Sequence, residues 1–270
     1  MICLTYTLTS QMNKEKYTFC FVFAMGMEAA PFLRRVETRR RWKVGHTTNR
    51  EVFFEGKRIL VTRCGIGYRK ALAAGQSIGD ESLSMVSVGT CGALVEGLRP
   101  GHILIASETV LQENPNVRHK CSEALVSSLQ LACSRAGVQY RVAPIVTASK
   151  PVFARSDRET LHMNSGAHAV DMESHALAIG ASSAGSPFGV IRVVSDGIEA
   201  APLPDRAILI NWRKQLSKIH ENVLPLIRWW RFLRTFRNSI AMLDEPLVEL
   251  TRIQGRFGSN GVNRADSDQC

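Results

Sequence analysis

The chain has 270 residues, 45% apolar and 21% charged, the balance of a soluble globule large enough to bury a substantial core. Seven scattered cysteines with no C-x-x-C pair, and seven dispersed histidines, suggest neither a disulfide framework nor a metal site. The formal charge of +10 favours phosphate-bearing or anionic partners, but no nucleic-acid-binding motif accompanies it, and no apolar run reaches the roughly 18 residues of a membrane span.

Residues 1–15 are polar and uneven, a loose tail lacking the basic start and apolar run of a secretory signal, which points to a cytoplasmic protein. "YTFCFVFAM" (17–25) is aromatic and β-branched, a buried strand. "EVFFEGKRILVTRCG" (51–65) predicts a hairpin turning at Glu55-Gly56-Lys57, and "YRKALAAGQSIG" (68–79) a helix. "SMVSVG" (84–89) and "HILIASE" (102–108) read as strands, separated by the loop "TCGALVEGLRPG". A helix follows over 121–136, ended by Gly137, then a strand over 140–148 and a helix near 155–164. A short strand at 168–172 runs into a helix at 173–185, and 188–196 is a strongly buried strand. The pattern over 206–243 is helical, with a break near Pro225. Strands alternating with helices predict an α/β sheet covered by helices. The chain divides into the tail 1–15, a domain over 16–222, a basic helical extension over 223–250 and a disordered tail over 251–270.

The segments that bear chemistry sit where strands end. "CGIGYRKA" lacks the third glycine of a dinucleotide fingerprint, yet Gly65 and Gly67 allow backbone to approach a ligand closely. "SVGTCGAL" bares its backbone at Gly89 and Gly92 and adds the hydroxyl of Thr90. Glu28 follows the first strand, Asp196 ends a later one, and Asp171-Met172-Glu173 lies between a strand and a helix. In open α/β sheets ligands bind outside the carboxyl ends of strands, which makes these positions one candidate site.

The ordered set A-M-x-x-E (Ala24 to Glu28), G-I-G (Gly65 to Gly67), V-G-T-C-G-A-L (Val88 to Leu94), V-D-M-E (Val170 to Glu173) and R-x-x-S-D (Arg192 to Asp196) resembles the purine nucleoside phosphorylase and methylthioadenosine/S-adenosylhomocysteine nucleosidase superfamily, over roughly residues 17–220. "AVDMESHALA", "GSPFGVIRVVSD" and "LPDRA" are most similar to its hopanoid-associated phosphorylase subgroup. The resemblance implies a three-layer α/β sandwich with a twisted mixed central sheet flanked by helices. It implies cleavage of a purine N-glycosidic bond, with adenosylhopane as substrate. Methylthioadenosine/S-adenosylhomocysteine nucleosidase or soluble purine nucleoside phosphorylase activity is the alternative.

By the same resemblance, Glu173 accepts hydrogen bonds from the ribose hydroxyls, Met172 packs on the sugar, and Asp196 protonates the base. Ser195 and Arg192 orient Asp196, while Asp171 caps the following helix. Cys91 and Gly92 offer backbone groups to the purine, and Val152 or Phe153 covers its face, although "TASKPVFA" departs from the S-G-D-x-F run of relatives. Glu28 positions a water. Phosphorolytic hexameric members carry an arginine where this chain has Ser87, which tilts the expectation towards hydrolysis. Arg63 or Arg69 is near enough in sequence to grip inorganic phosphate as a co-substrate, and no other cofactor is implied. Relatives are homo-oligomers. "LIRWWRFLRTFRNSIAML" (226–243) places Leu226, Trp229, Trp230, Leu233, Phe236 and Ile240 on one stripe flanked by arginines, a pattern able to lie on an anionic membrane.

Overall fold

Side chains of the first strand alternate between two hydrophobic cores, and that alternation sets the layering. The computed structural model describes residues 17–78, 83–199 and 234–254. Strand β1 (Phe19–Phe23) lies between β4 (Lys57–Arg63) and β5 (Ser84–Ala93), parallel to both. Phe19, Phe21 and Phe23 face a core with helices α1 (Gly26–Leu33) and α3 (Glu123–Arg135) and with the C-terminal α6 (Asp244–Gln254). Cys20 and Val22 face the other core, covered by α2 (Tyr68–Ile78) and α5 (Ser174–Ser183). Two helical layers therefore enclose one sheet.

The other strands are β2 (Glu37–Val44), β3 (Thr47–Phe54), β6 (Ile103–Leu111), β7 (Asn114–Lys120), β8 (Tyr140–Thr147), β9 (Ala169–Asp171) and β10 (Phe188–Asp196). They form one mixed sheet in the order β10-β6-β8-β9-β5-β1-β4-β3-β2, with β7 on β6. Because β10 also pairs with β5, strands β5, β10, β6, β8 and β9 close a ring at one end. The predicted hairpin is β3–β4, turning on Glu55 (φ 47°) and Gly56 (φ 78°), both left-handed as a two-residue turn requires.

Two strands escaped the sequence reading. β2 is the exposed basic run, an edge strand whose charges deter further pairing, and β7 is mostly polar and exposed. The segment 90–93, read as loop, instead continues β5, because β10 pairs along one side of it and β9 along the other.

At the C-terminus, helical backbone at 234–241 leads into α6. The disordered tail expected over 251–270 is corrected at its start, where α6 runs through Gln254 with Thr251 and Ile253 buried; 255–270 lies outside the described residues. Lys57 Nζ donates to the carbonyls of Thr251 and Arg252 and so caps that helix end. Of the predicted membrane-facing stripe, Phe236 and Ile240 are buried at 7% and 2% exposure, so this part faces protein. The tail 1–15 and residues 200–233, which include "LPDRA", the helical reading from 206 and its break near Pro225, fall outside the described residues; among the residues that are described, no helix is long and apolar enough to cross a membrane.

Candidate active site

Parallel strands β4, β1, β5 and β10 run in one direction, so their carboxyl ends and the segments beyond them share one edge of the sheet. Glu28 enters from α1, in the first turn after β1. Its Oε2 accepts the Met25 N–H at 2.9 Å, while Oε1 accepts both the N–H and the hydroxyl of Thr90 at 3.0 Å. Burial raises its pKa, against the opposing pull of those donors and of Arg192. A Cβ at Gly89 would lie 2.8 Å from Glu28 Oε1, so glycine is what lets the carboxylate reach β5.

Gly67, in the left-handed region at φ 103°, donates its N–H to Glu173 Oε1 at 2.8 Å. Burial, then the charge of Asp171, pushes Glu173 up to about 8, opposed by the Gly67 N–H and Arg192. Half-buried Met172 stands between the two acids.

Asp171 occupies no cap position, since Glu173 is the residue that precedes α5. Its carboxylate nonetheless accepts the N–H groups of Glu173 and Ser174, binds the Ser174 hydroxyl and pairs with buried Arg192. Arg192, expected to orient Asp196, binds Asp171, Ser87 and Ser174 instead. It thus fills the space beside Ser87 with a guanidinium already committed to a buried carboxylate.

Asp196 is held by Ser195, whose hydroxyl donates to Oδ1 at 2.5 Å. Its other oxygen is bound by Arg158, a residue the sequence reading overlooked. Arg158 comes from helix α4 (Arg155–Ser165), whose buried face is Arg158, Leu161 and Ser165. That i, i+3, i+7 spacing carries no apolar stripe that would mark the arginine, since only Leu161 of the three is apolar. Gly92 lies under the pair, a Cβ there meeting Asp196 Oδ2 at 3.1 Å and Arg158 at 3.3 Å. Cys91 is buried beside them, its carbonyl 3.1 Å from the Ser195 hydroxyl, and the Val152 carbonyl accepts Arg158 Nε at 3.0 Å. Phe153 is half-buried in the same loop.

Arg63 lines a recess of about 420 Å³ with Met25, Gly26, Gly65, Ile66 and Lys70. Arg69, the other arginine considered for an anion, does not line it. The assembled edge thus offers one acid between a helix start and β5, a second on a backbone N–H, and a third backed by a buried guanidinium.

Residues 18–227 match the family described as the phosphorylase superfamily. Comparison with curated protein sequences gives no match. Among solved structures, futalosine hydrolase of Helicobacter pylori strain 26695 superposes with a TM-score of 0.70 at 18% identity, over 88% of this chain and 98% of that one. The 5'-methylthioadenosine/S-adenosylhomocysteine nucleosidase of Neisseria meningitidis, in complex with methylthio-immucillin-A, gives 0.69 at 21% identity, over 88% and 100%. The Campylobacter jejuni 5'-methylthioadenosine/S-adenosyl homocysteine nucleosidase gives 0.71 at 14% identity, over 88% and 100%. At such identities the likeness establishes a shared fold.

Proposed function

The chain belongs to the phosphorylase superfamily, and from that membership and the site geometry we propose that it cleaves the N-glycosidic bond of a purine nucleoside. The observation that carries this reading is the gathering of Glu28, Glu173 and Asp196 around strand ends that share Thr90, Gly67 and Gly92. The ribose hydroxyls donate to Glu173, Met172 lies against the sugar, and the base faces Asp196 beside Cys91 and Gly92. As the C1′–N9 bond breaks, its electron pair leaves with the base and positive charge develops on the ribose. Glu173 stabilises that charge, and Asp196 supplies the proton that the departing purine takes at N7. Glu28, raised by burial yet held by three hydrogen bonds, accepts a proton from the water that adds to C1′.

The favoured nucleophile is water, because Ser87 stands at the phosphorolytic arginine position and the nearby Arg192 is tied to Asp171. Phosphorolysis is a second reading, supported by the cationic recess of Arg63 and Lys70. Among purine nucleosides we propose adenosylhopane, on the similarity of "AVDMESHALA" and "GSPFGVIRVVSD" to the hopanoid-associated subgroup. Exposed Ile66 lines the recess and exposed Met27 adjoins it, an apolar exit for a hydrocarbon at the ribose 5′ carbon.

The test incubates the protein with adenosylhopane, methylthioadenosine, S-adenosylhomocysteine and adenosine, each with and without phosphate, and identifies the sugar released. Free ribose product means hydrolysis and a ribose 1-phosphate means phosphorolysis. Absence of adenine release from every substrate would end the reading.

A further inference from the structure

Arg158, 2% exposed, is the largest of the fully buried side chains among the described residues. Three backbone carbonyls immobilise it: Nε donates to Val152 at 3.0 Å, and one terminal nitrogen donates to Ala93 at 3.2 Å and Gly197 at 2.8 Å. Its other terminal nitrogen binds Asp196 Oδ2. A buried guanidinium is costly to desolvate, and a merely structural arginine could be replaced by a well-packed apolar residue. This one spends its free arm on the acid that faces the base.

Hydrogen counting at Ser195 adds a second constraint. Its oxygen lies 3.1 Å from the Cys91 carbonyl and 2.5 Å from Asp196 Oδ1, but a hydroxyl carries a single hydrogen. The carbonyl can only accept. Of its two acceptors the serine hydroxyl is closer to Oδ1, at 2.5 Å, so Ser195 donates to the acid, and the Cys91 carbonyl keeps the hydroxyl oxygen in place.

We propose that Arg158 is the positioning residue for leaving-group activation: it holds Oδ2 while Ser195 holds Oδ1, which fixes the edge that Asp196 presents to the purine. This rests on the N-glycosidic reading above. As the C1′–N9 pair departs with the base, the proton that Asp196 supplies passes to N7 and Asp196 is left a carboxylate. Arg158 then faces a full negative charge where it had faced a neutral carboxyl. Its attraction is therefore stronger late in the reaction than at the start, the condition for lowering a barrier. The Val152 carbonyl on the same guanidinium ties the loop expected to cover the purine to the acid that protonates it.

The experiment compares two leaving groups. One is the purine nucleoside turned over fastest in the substrate panel; the other is p-nitrophenyl β-D-ribofuranoside, whose phenolate departs without a proton. For Asp196→Asn and Arg158→Met, kcat on the purine should fall on the order of 10²-fold while the nitrophenyl substrate changes little. Arg158→Lys keeps the charge but loses the fork, and should recover part of the purine activity. If Arg158→Met does not fold, the ratio of the two activities is read in Arg158→Lys, where the loss must again fall on the purine alone. Selective loss in Asp196→Asn with equal loss on both substrates in the Arg158 variants overturns the inference and leaves the reading intact. Unchanged purine turnover in Asp196→Asn overturns the reading itself.

Discussion

Glu28 and Thr90, 62 residues apart, are joined twice: one carboxylate oxygen accepts both the backbone N–H and the hydroxyl of Thr90 at 3.0 Å. This links the first turn of α1 to the end of β5 and leaves the acid little freedom to turn. Glu28→Gln removes the proton acceptor and should lower kcat about 10²-fold. Thr90→Val removes one donor but keeps the backbone N–H, and should cost about 10-fold, in the range of one hydrogen bond to a charged group. Steady-state adenine release checks both. A Thr90→Val loss as large as that of Glu28→Gln contradicts this ordering.

Asp171 and Arg192 form a buried pair at 2.9 Å, their side chains 1% and 3% exposed. Asp171→Asn would leave the guanidinium charge uncompensated and weaken the hold on the start of α5. The expected loss of stability is roughly 3–5 kcal/mol, the range for breaking a buried pair from one side. Urea unfolding measures it. A midpoint close to that of the wild type would mean that water reaches Arg192.

The pH dependence of stability has its source in Glu173. Its pKa in the folded chain, about 8, lies above the ordinary 4.5, so between those values the folded state holds a proton that the unfolded state has released. Stability from this group is present in full below the ordinary value, falls as pH rises through the window, and levels off above about 8. Glu173→Gln should flatten that decline in melting temperature. Free-enzyme kcat/KM should also rise towards alkaline pH as Glu173 ionises and can stabilise the ribosyl cation. In Asp171→Asn the rise should move to lower pH, since the Asp171 charge is one of the causes of the elevation.

The positions of the candidate site are legible in the sequence because its motifs coincide with strand ends, which apolar runs and glycines mark. Glu28, Gly67, Thr90, Glu173 and Asp196 were each found that way. The partners of the acids were not. The R-x-x-S-D motif implies that Arg192 serves Asp196, yet a bulge between Val194 and Asp196 breaks the alternation of β10 and separates their directions. Arg158 was passed over because its contacts with Ala93 and Gly197 span 65 and 39 residues, and no local pattern encodes them. β2 was missed because its strand character comes from pairing with β3 rather than from an apolar face.

Helix α6 makes a separate prediction. Leu247, Val248, Leu250 and Ile253 are each at most 1% exposed and share the core of β1, α1 and α3. Burying such a side chain contributes about 1.5–3 kcal/mol, so their joint loss approaches the whole stability of a typical domain. A chain ending at residue 243 should therefore be insoluble or unfolded, whereas one ending at 254 should melt like the full chain. Circular dichroism and sedimentation distinguish the two.

Helices α2 and α5 cross where Gly180 meets Gly75, a Cβ on Gly180 falling 2.5 Å from the Gly75 carbonyl carbon. The crossing matters because α2 begins just beyond Gly67 and α5 just beyond Glu173, the two residues joined by the 2.8 Å hydrogen bond. Backbone cannot yield as a flexible side chain would, so Gly180→Ala must push the helices apart. That overpacking should cost about 1–3 kcal/mol and draw Glu173 away from Gly67, lowering kcat as well as stability. Gly75→Ala is the milder change, its Cβ reaching only to 3.1 Å from Gly180 Cα, and should lose less of both. Denaturant midpoints and turnover measured on the two variants settle the order. If Gly75→Ala is the more damaging, the crossing does not set the Gly67–Glu173 distance.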